Sequence, residues 1–302
     1  MISVIILTKN EELDLDKCLK AVQWSNDVHV LDSGSTDSTL KIADRYAVNV
    51  SSNAFKSFGQ QRNHALDNLP LINDWILFID ADEIVTDPFR IAITEAVQNA
   101  NENIAGFYCC AKLMLEDTWL KRSDTFPKWQ FRLMRKGKAR FTDFGHGQKE
   151  YEVNGGIKYI KEPYLHYGLS KGWYKWIERH NTYSNLEAIV RLDHRPSFKH
   201  VFSKHGSIRN TALKCLLSKI PVWPAIRFMH AYFINFGFIE GIPGLLYCIS
   251  NSYYEFMIQI KMREIRRARK NIAINTVKTE TLTQFTNITA TNNVNEVPVR
   301  MH

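Results

Sequence analysis

Trp75-Ile76-Leu77-Phe78-Ile79-Asp80-Ala81-Asp82-Glu83 decides the reading of this 302-residue chain. Five apolar residues run directly into three carboxylates around one alanine. A continuous apolar run of this length predicts a strand buried on both faces, as in a sheet covered by helices. Such a strand delivers its C-terminal end to the crevice where open α/β sheets bind ligands. Carboxylates crowded there repel one another unless a cation sits among them. A divalent ion with oxygen ligands, itself holding phosphates, fits that demand. The competing reading is a strand end and an acidic turn, with Asp87-Pro88 capping the next helix.

The rhythm upstream agrees with a strand. Ser3 to Leu7 reads as a first buried strand, followed by the polar loop Thr8-Lys9-Asn10-Glu11-Glu12. Leu15, Leu19 and Val22 mark an amphipathic helix. Val28 to Leu31 predicts a second strand, ending in the turn formers and helix caps of Asp32-Ser33-Gly34-Ser35-Thr36-Asp37. A helix around Leu40 to Tyr46, a strand at Val48 to Val50, and a helix from Gln60 to Leu69 follow. Strand and helix alternating in this way predict a parallel, doubly wound sheet. After Gly106 the pattern changes to short apolar-aromatic segments: Phe107 to Ala111, Gln130 to Met134, Ala139 to Phe141 and Lys158 to Ile160. Met114 to Lys128 has no clear period and reads as a functional loop. Helical periodicity returns at Trp173 to Leu192 and over most of 208–268.

Charge divides the chain. Residues 1–193 carry 24 Lys/Arg and 26 Asp/Glu, whereas 194–302 carry 15 and 5, with no acid between His194 and Ile239. A basic half implies a polyanionic surface as partner. Between Ile220 and Ile260 large aromatics dominate, and Lys261-Met262-Arg263-Glu264-Ile265-Arg266-Arg267-Ala268-Arg269-Lys270 follows. Aromatics with a basic flank suit helices lying in an anionic headgroup layer. The alternative is an aromatic core with a solvated charged face. No nucleic-acid motif is visible, so no nucleic-acid partner is expected. No signal peptide and no run of eighteen apolar residues is seen, so no spanning helix is predicted. Five cysteines without metal-ligand spacing fit a reducing compartment.

Taken together, Thr8-Lys9-Asn10-Glu11-Glu12, Asp32 to Asp37 and Asp80-Ala81-Asp82-Glu83 resemble the signature of family 2 glycosyltransferases with the GT-A fold. Trp129-Gln130-Phe131-Arg132-Leu133, Gly145-His146-Gly147-Gln148-Lys149-Glu150, Leu165-His166-Tyr167 and Arg179-His180-Asn181-Thr182-Tyr183-Ser184 resemble its bacterial branch of lipopolysaccharide-core β-glucosyltransferases. The resemblance implies a Rossmann-like, mainly parallel α/β sheet flanked by helices over residues 1–192. Composition adds a basic, aromatic-rich, membrane-associating helical extension over 193–270 and, being rich in Thr and Asn and poor in aromatics, a disordered tail over 271–302.

By resemblance, Thr8 and Glu11 line the nucleoside pocket and Asp32 faces the base or ribose. Many members carry a second aspartate where this chain has Ser33. Arg62 approaches the diphosphate, Asp80 contacts ribose or metal, Asp82 binds Mg2+ or Mn2+, and His166 is a third metal ligand. An inverting enzyme also needs a carboxylate base to take the acceptor's proton. Glu150 is the candidate, with Asp124 and Asp143 as rivals. For Arg62 a solvated helix position, for His146 and His166 structural hydrogen bonding, and for Glu150 an exposed charged set, Lys149-Glu150-Tyr151-Glu152, are the competing readings. The implied activity is metal-dependent transfer from a nucleotide-sugar donor, UDP-linked by preference, to a saccharide or lipid-linked saccharide. Its place would be the cytoplasmic face of a bacterial inner membrane. A non-catalytic nucleotide-sugar or polysaccharide binder is the alternative.

Overall fold

The computed structural model describes residues 1–144, 147–193, 198–203 and 206–292, with no side chains described beyond Asn271. Its first half follows the alternation in order: β1 (Ile2–Thr8), α1 (Leu15–Ala21), β2 (Val28–Asp32), α2 (Thr39–Asp44), β3 (Asn49–Ser52), α3 (Phe58–Asn68), β4 (Trp75–Asp80), β5 (Glu83–Ile84) and α4 (Asp87–Gln98). Then come β6 (Ile104–Leu115), β7 (Thr118–Trp119), β8 (Trp129–Arg135), β9 (Arg140–Phe144), β10 (Gly147–Tyr151), β11 (Gly156–Tyr159) and β12 (Tyr164–His166). The remainder is helical: α5 (Gly172–Asp193), α6 (Phe198–Val201), α7 (Gly206–Leu217), α8 (Trp223–Met229), a π-turn at His230–Ile234, a 3-10 turn at Gly237–Glu240, and α9 (Gly241–Asn292).

The strand order is β3-β2-β1-β4-β8-β6-β12-β5, with β7 and β11 also on β6. β1, β2, β3 and β4 are mutually parallel where they pair. The sheet is not parallel throughout, because β8 enters antiparallel to both β4 and β6. This is the mixed, helix-flanked sheet of the expected GT-A class. Register aligns Thr8 with Asp32 and Leu7 with Asp80, which brings three strand ends to one edge. One face of the sheet packs on α1 and α4 through Val4, Ile6, Leu15, Leu19, Phe89 and Ile93. The other packs on α3 through Ile5, Ile76, Phe78 and Ala65, with Phe131 and Phe141 closing over them.

Helix starts obey local chemistry. Ser57 caps α3 by accepting from Gln60 N at 3.3 Å, and Thr86 caps α4 by accepting from Phe89 N at 3.3 Å. The cap of α4 is thus Thr86 rather than Asp87, which opens the helix with Pro88 behind it. β9 and β10 form a hairpin apart from the main sheet, tied to α3 by Asn63 Nδ2 to Phe141 O at 2.8 Å.

The C-terminal helices are held to the domain by buried charge. Arg191 on α5 forks onto Glu255 on α9 at 2.6 and 3.1 Å, and Trp223 Nε1 on α8 reaches the same carboxylate at 3.0 Å. Glu240 accepts from Ser123 N at 3.0 Å, linking these helices to the loop after β7. α9 enters the compositional tail at 271–302, of which residues 293–302 lie outside the described residues.

Burial opposes ionisation of Glu255, but the hydrogen bonds and charge of Arg191 outweigh it and lower its pKa below the ordinary 4.5. The stability it contributes is present above that unfolded value and is lost as pH falls below it. Glu255→Gln should therefore flatten the acid limb of a stability-versus-pH curve below about pH 4.5. Arg191→Met, which strands a buried carboxylate, should cost about 3 kcal/mol in urea denaturation at pH 7.

Candidate active site

At the end of β4 two arginines and two carboxylates pack together. Arg132, on β8, donates to Asp80 Oδ2 at 2.8 Å and to Glu83 Oε1 at 2.6 Å. Arg62, on α3, donates to Asp80 Oδ1 at 3.3 Å. Both arginines are almost wholly buried, at 1% and 3% exposure, and so is Glu83. Arg62 is therefore not a solvated helix residue. Its guanidinium lies 5.5 Å over the Phe78 ring and 5.8 Å over the Phe141 ring. The second oxygen of Glu83 accepts from Asp80 N at 2.9 Å and closes the turn.

Burial opposes the charged form of Asp80, but Arg132 and Arg62 outweigh it and hold the carboxyl well below the usual range. Burial wins at Glu83, whose pKa rises to about 7 against the pull of Arg132. It also lowers Arg62 to about 10 despite Asp80. Arg62 Nε and Nη1 and Arg132 Nη1 are buried without a hydrogen-bond partner.

Asp82 stands outside this cluster. Its Oδ2 lies 3.6 Å from His166 Nε2, on the β12 strand that pairs with β5. Burial would lower the His166 pKa, but Asp82, with Glu83 and Asp80 behind it, raises it to about 9. A cation is thus already favoured at this point, in the form of a protonated imidazole. Binding a divalent ion here would require His166 to give up that proton. Among the described residues no three His, Cys, Asp or Glu side chains converge at ligating distance. The carboxylate and imidazole of Asp82 and His166 fit a partial site for a hard or borderline ion, with phosphate and water as further ligands. Both Asp80 oxygens are held by arginines.

Beside this point lie the loops after β1 and β2. Thr8 Oγ1 donates to Asp32 Oδ1 at 3.0 Å, and Asp32 Oδ2 accepts from Gly34 N and Ser35 N, each at 2.8 Å. Asp32 is 1% exposed and holds its own turn together. Ser33 Oγ accepts from Gln61 Nε2 at 3.1 Å. Glu11 pairs with Lys171 Nζ at 2.5 Å, yet burial lifts its pKa to about 7. The segment from β12 to α5 straps across this rim: Tyr167 N donates to Asp82 O at 2.8 Å and Ser170 Oγ to Asp14 Oδ2 at 2.6 Å. A cleft of about 510 Å³ opens beside Asp82, lined by Asp14, Lys17, Met114, Ser170 and Trp173 among others.

The three candidate bases differ. Asp124 is buried between Lys128 and the Tyr247 hydroxyl. Asp143 accepts from Gly59 N at 3.0 Å at the start of α3. Glu150, on β10, is half-buried and accepts from the Tyr108 hydroxyl. It has no contact with the Asp80–Glu83 turn, but Tyr108 is the register partner of Phe131, next to Arg132. His146 lies outside the described residues.

Sequence reasoning assigned no role to Arg132, Glu83 or Lys171. For Arg132 a signal existed: a lone arginine in the apolar strand Gln130 to Met134 requires buried carboxylates. Lys171, in Ser170-Lys171-Gly172, gave none. Arg132→Gln should destabilise the fold by about 3–5 kcal/mol in urea denaturation, because it leaves Glu83 and Asp80 short of their cation.

The chain is similar to known proteins in sequence and fold. Residues 3–151 match the family described as Glycosyl transferase family 2. The lipopolysaccharide core biosynthesis glycosyltransferase LpsC of Rhizobium meliloti (strain 1021) is 24% identical over 283 residues, covering 90% of this chain and 96% of its own length. An uncharacterized glycosyltransferase of Rickettsia conorii is 25% identical over 286 residues, covering 90% of this chain and 93% of its own. Among solved structures, the mannosyltransferase PcManGT of Pyrobaculum calidifontis, in complex with GDP-Man and Mn2+, is 16% identical, covers 86% of each chain and superposes with a TM-score of 0.46. Residues 3–151 are thus a glycosyl transferase family 2 domain, and the chain is a glycosyltransferase.

Proposed function

We propose that this enzyme transfers a sugar, with inversion, from a nucleotide diphosphate, UDP-linked by preference, to a saccharide acceptor of bacterial lipopolysaccharide or envelope polysaccharide. The observation that carries the proposal is the separation of the two aspartates. Asp80 is fixed by Arg62 and Arg132, while Asp82, two residues on, pairs with His166 and with neither arginine.

In this reading Thr8, Asp32 and the turn it holds form the floor of the nucleoside pocket, and Glu11 its wall. Arg62 and Arg132 lend positive potential behind Asp80 to the diphosphate. Asp82 and His166 would hold Mg2+ or Mn2+, which neutralises the charge growing on the leaving diphosphate. Glu150 takes the proton from the acceptor hydroxyl as its oxygen bonds to the anomeric carbon and the nucleoside diphosphate departs. The named activity of the Rhizobium relative supports a lipopolysaccharide acceptor.

The location proposed is the cytoplasmic face of the inner membrane, reached through the C-terminal helices. The aromatics there are not a closed core: Phe233, Phe236, Phe238 and Phe256 are each 45–48% exposed. Val222, Met229, Ile234, Ile239 and Ile242 are each more than half exposed. Among the described residues no single helix is long and apolar enough to cross a membrane, although Trp223–Ile234 and Gly237–Asn271, bent at 74°, carry enough apolar length together. Exposed apolar surface of this extent beside Arg263, Arg266, Arg267 and Lys270 suits an anionic leaflet.

Purified protein given UDP-glucose, other nucleotide sugars and Mn2+ with acceptor extract should release nucleoside diphosphate, and chelation should stop the release. Asp82→Ala should lower turnover at least ~100-fold without changing the thermal midpoint, and Glu150→Gln should lower kcat by roughly 10²–10⁴ with donor binding retained. Unaltered turnover in Asp82→Ala would remove the metal role. Vesicles of phosphatidylglycerol should sediment the protein while phosphatidylcholine vesicles do not, and Arg263, Arg266 and Arg267 changed together to Gln should weaken that binding by about 3 kcal/mol.

A further inference from the structure

On the far side of β4 from the nucleoside loops, the site rim runs into an aromatic surface. β8 is antiparallel to β4, so Trp129 at its start lies toward the Asp80 end, about 10 Å along the strand from Arg132. The Trp129 ring meets Tyr159 edge to face, with centroids 4.9 Å apart and planes at 77°. Tyr159, on β11, stacks on Tyr108, its register partner on β6, at 5.2 Å and 27°. The Tyr108 hydroxyl donates to Glu150. Tyr108 also packs against Phe131, whose neighbour Arg132 grips Asp80. Trp129 and Tyr159 nevertheless remain 37% and 56% exposed.

A single exposed aromatic needs no explanation, but two in contact beside a carboxylate at an active-site rim do. A pyranose ring has the complementary chemistry. Its C–H face is apolar and weakly positive, and suits the negative face of an aromatic ring. Its hydroxyls need acceptors and donors at the ring edge, and a small number of placed polar groups fixes orientation in such a site. A nucleobase would also stack on aromatics, but the loops after β1 and β2 lie across β4 from this surface. We propose that Trp129 and Tyr159 form the platform on which the acceptor sugar lies, with one hydroxyl presented to Glu150. The proposal rests on the transfer reading given above and adds the subsite for its second substrate.

The test uses the full chain with UDP and Mn2+, and as probe the core oligosaccharide released from bacterial lipopolysaccharide by mild acid. Saturation-transfer NMR and a titration give its affinity. Wild type should bind the probe, and Trp129→Ala and Tyr159→Ala should each weaken binding roughly tenfold. Trp129→Phe, which keeps a ring, should stay within about threefold of wild type. UDP titration of every variant reports whether the donor side is intact. Wild-type affinity in both alanine variants would overturn the platform, and so would failure of the wild type to bind the oligosaccharide while it binds UDP. Ring-dependent oligosaccharide binding by a protein that ignores nucleotides would leave the platform standing and refute the transfer reading instead.

Discussion

Two arginines buried between two carboxylates at the end of β4 are the constraint on which the rest of this molecule depends. Removing such charges from water costs several kcal/mol each, and only close geometry recovers it. The geometry here draws on three parts of the chain that are far apart in sequence: α3 supplies Arg62, β8 supplies Arg132, and the β4–β5 turn supplies Asp80 and Glu83. Satisfying the cluster therefore fixes β8 beside β4 and α3 beneath both.

The same cluster divides the labour of the acidic turn. Asp80 and Glu83 are both held by Arg132, with Glu83 wholly buried and the Asp80 side chain 36% exposed. Asp82 pairs instead with His166, whose charge outweighs the effect of burial and keeps the Asp82 carboxyl below the ordinary carboxylate range. A carboxylate and an imidazole that already attract a proton form a place prepared for a stronger cation. The loops after β1 and β2 reach the same edge by register alone. Their own polar groups are turned largely onto each other, as in the Thr8–Asp32 bond, so they provide shape more than free ligands.

Much of this was legible in the sequence. The parallel half appears as apolar runs ending in turn formers, and β1, β2 and β4 fall within a residue or two of where Ser3 to Leu7, Val28 to Leu31 and Trp75 to Asp80 predict them. The acidic turn was visible because three carboxylates after five apolar residues have few uses. The direction of β8 was not visible, since pairing sense is set by long-range contacts and leaves no period in the strand itself. Nor was the burial of Arg62, because Gln60-Gln61-Arg62-Asn63 has the polarity of an exposed helix turn until Phe78 and Phe141 cover it. The Lys171–Glu11 pair spans 160 residues and has no local signature.

The C-terminal helices repeat the pattern on a smaller scale: one buried pair, Arg191 with Glu255, docks an otherwise exposed apolar assembly onto the domain. Acidic residues that seem to interrupt the aromatic stretch are thus its anchors. The proposed function turns on a split between Asp80, held by two arginines, and Asp82, left to bind the metal. A crystal structure of the chain with UDP and Mn2+ tests it directly. The account predicts Mn2+ about 2.1 Å from an Asp82 oxygen and in contact with the diphosphate, with Asp80 still paired to Arg62 and Arg132. Mn2+ on Asp80 with the arginine pairs broken, or UDP bound away from this edge, would contradict it.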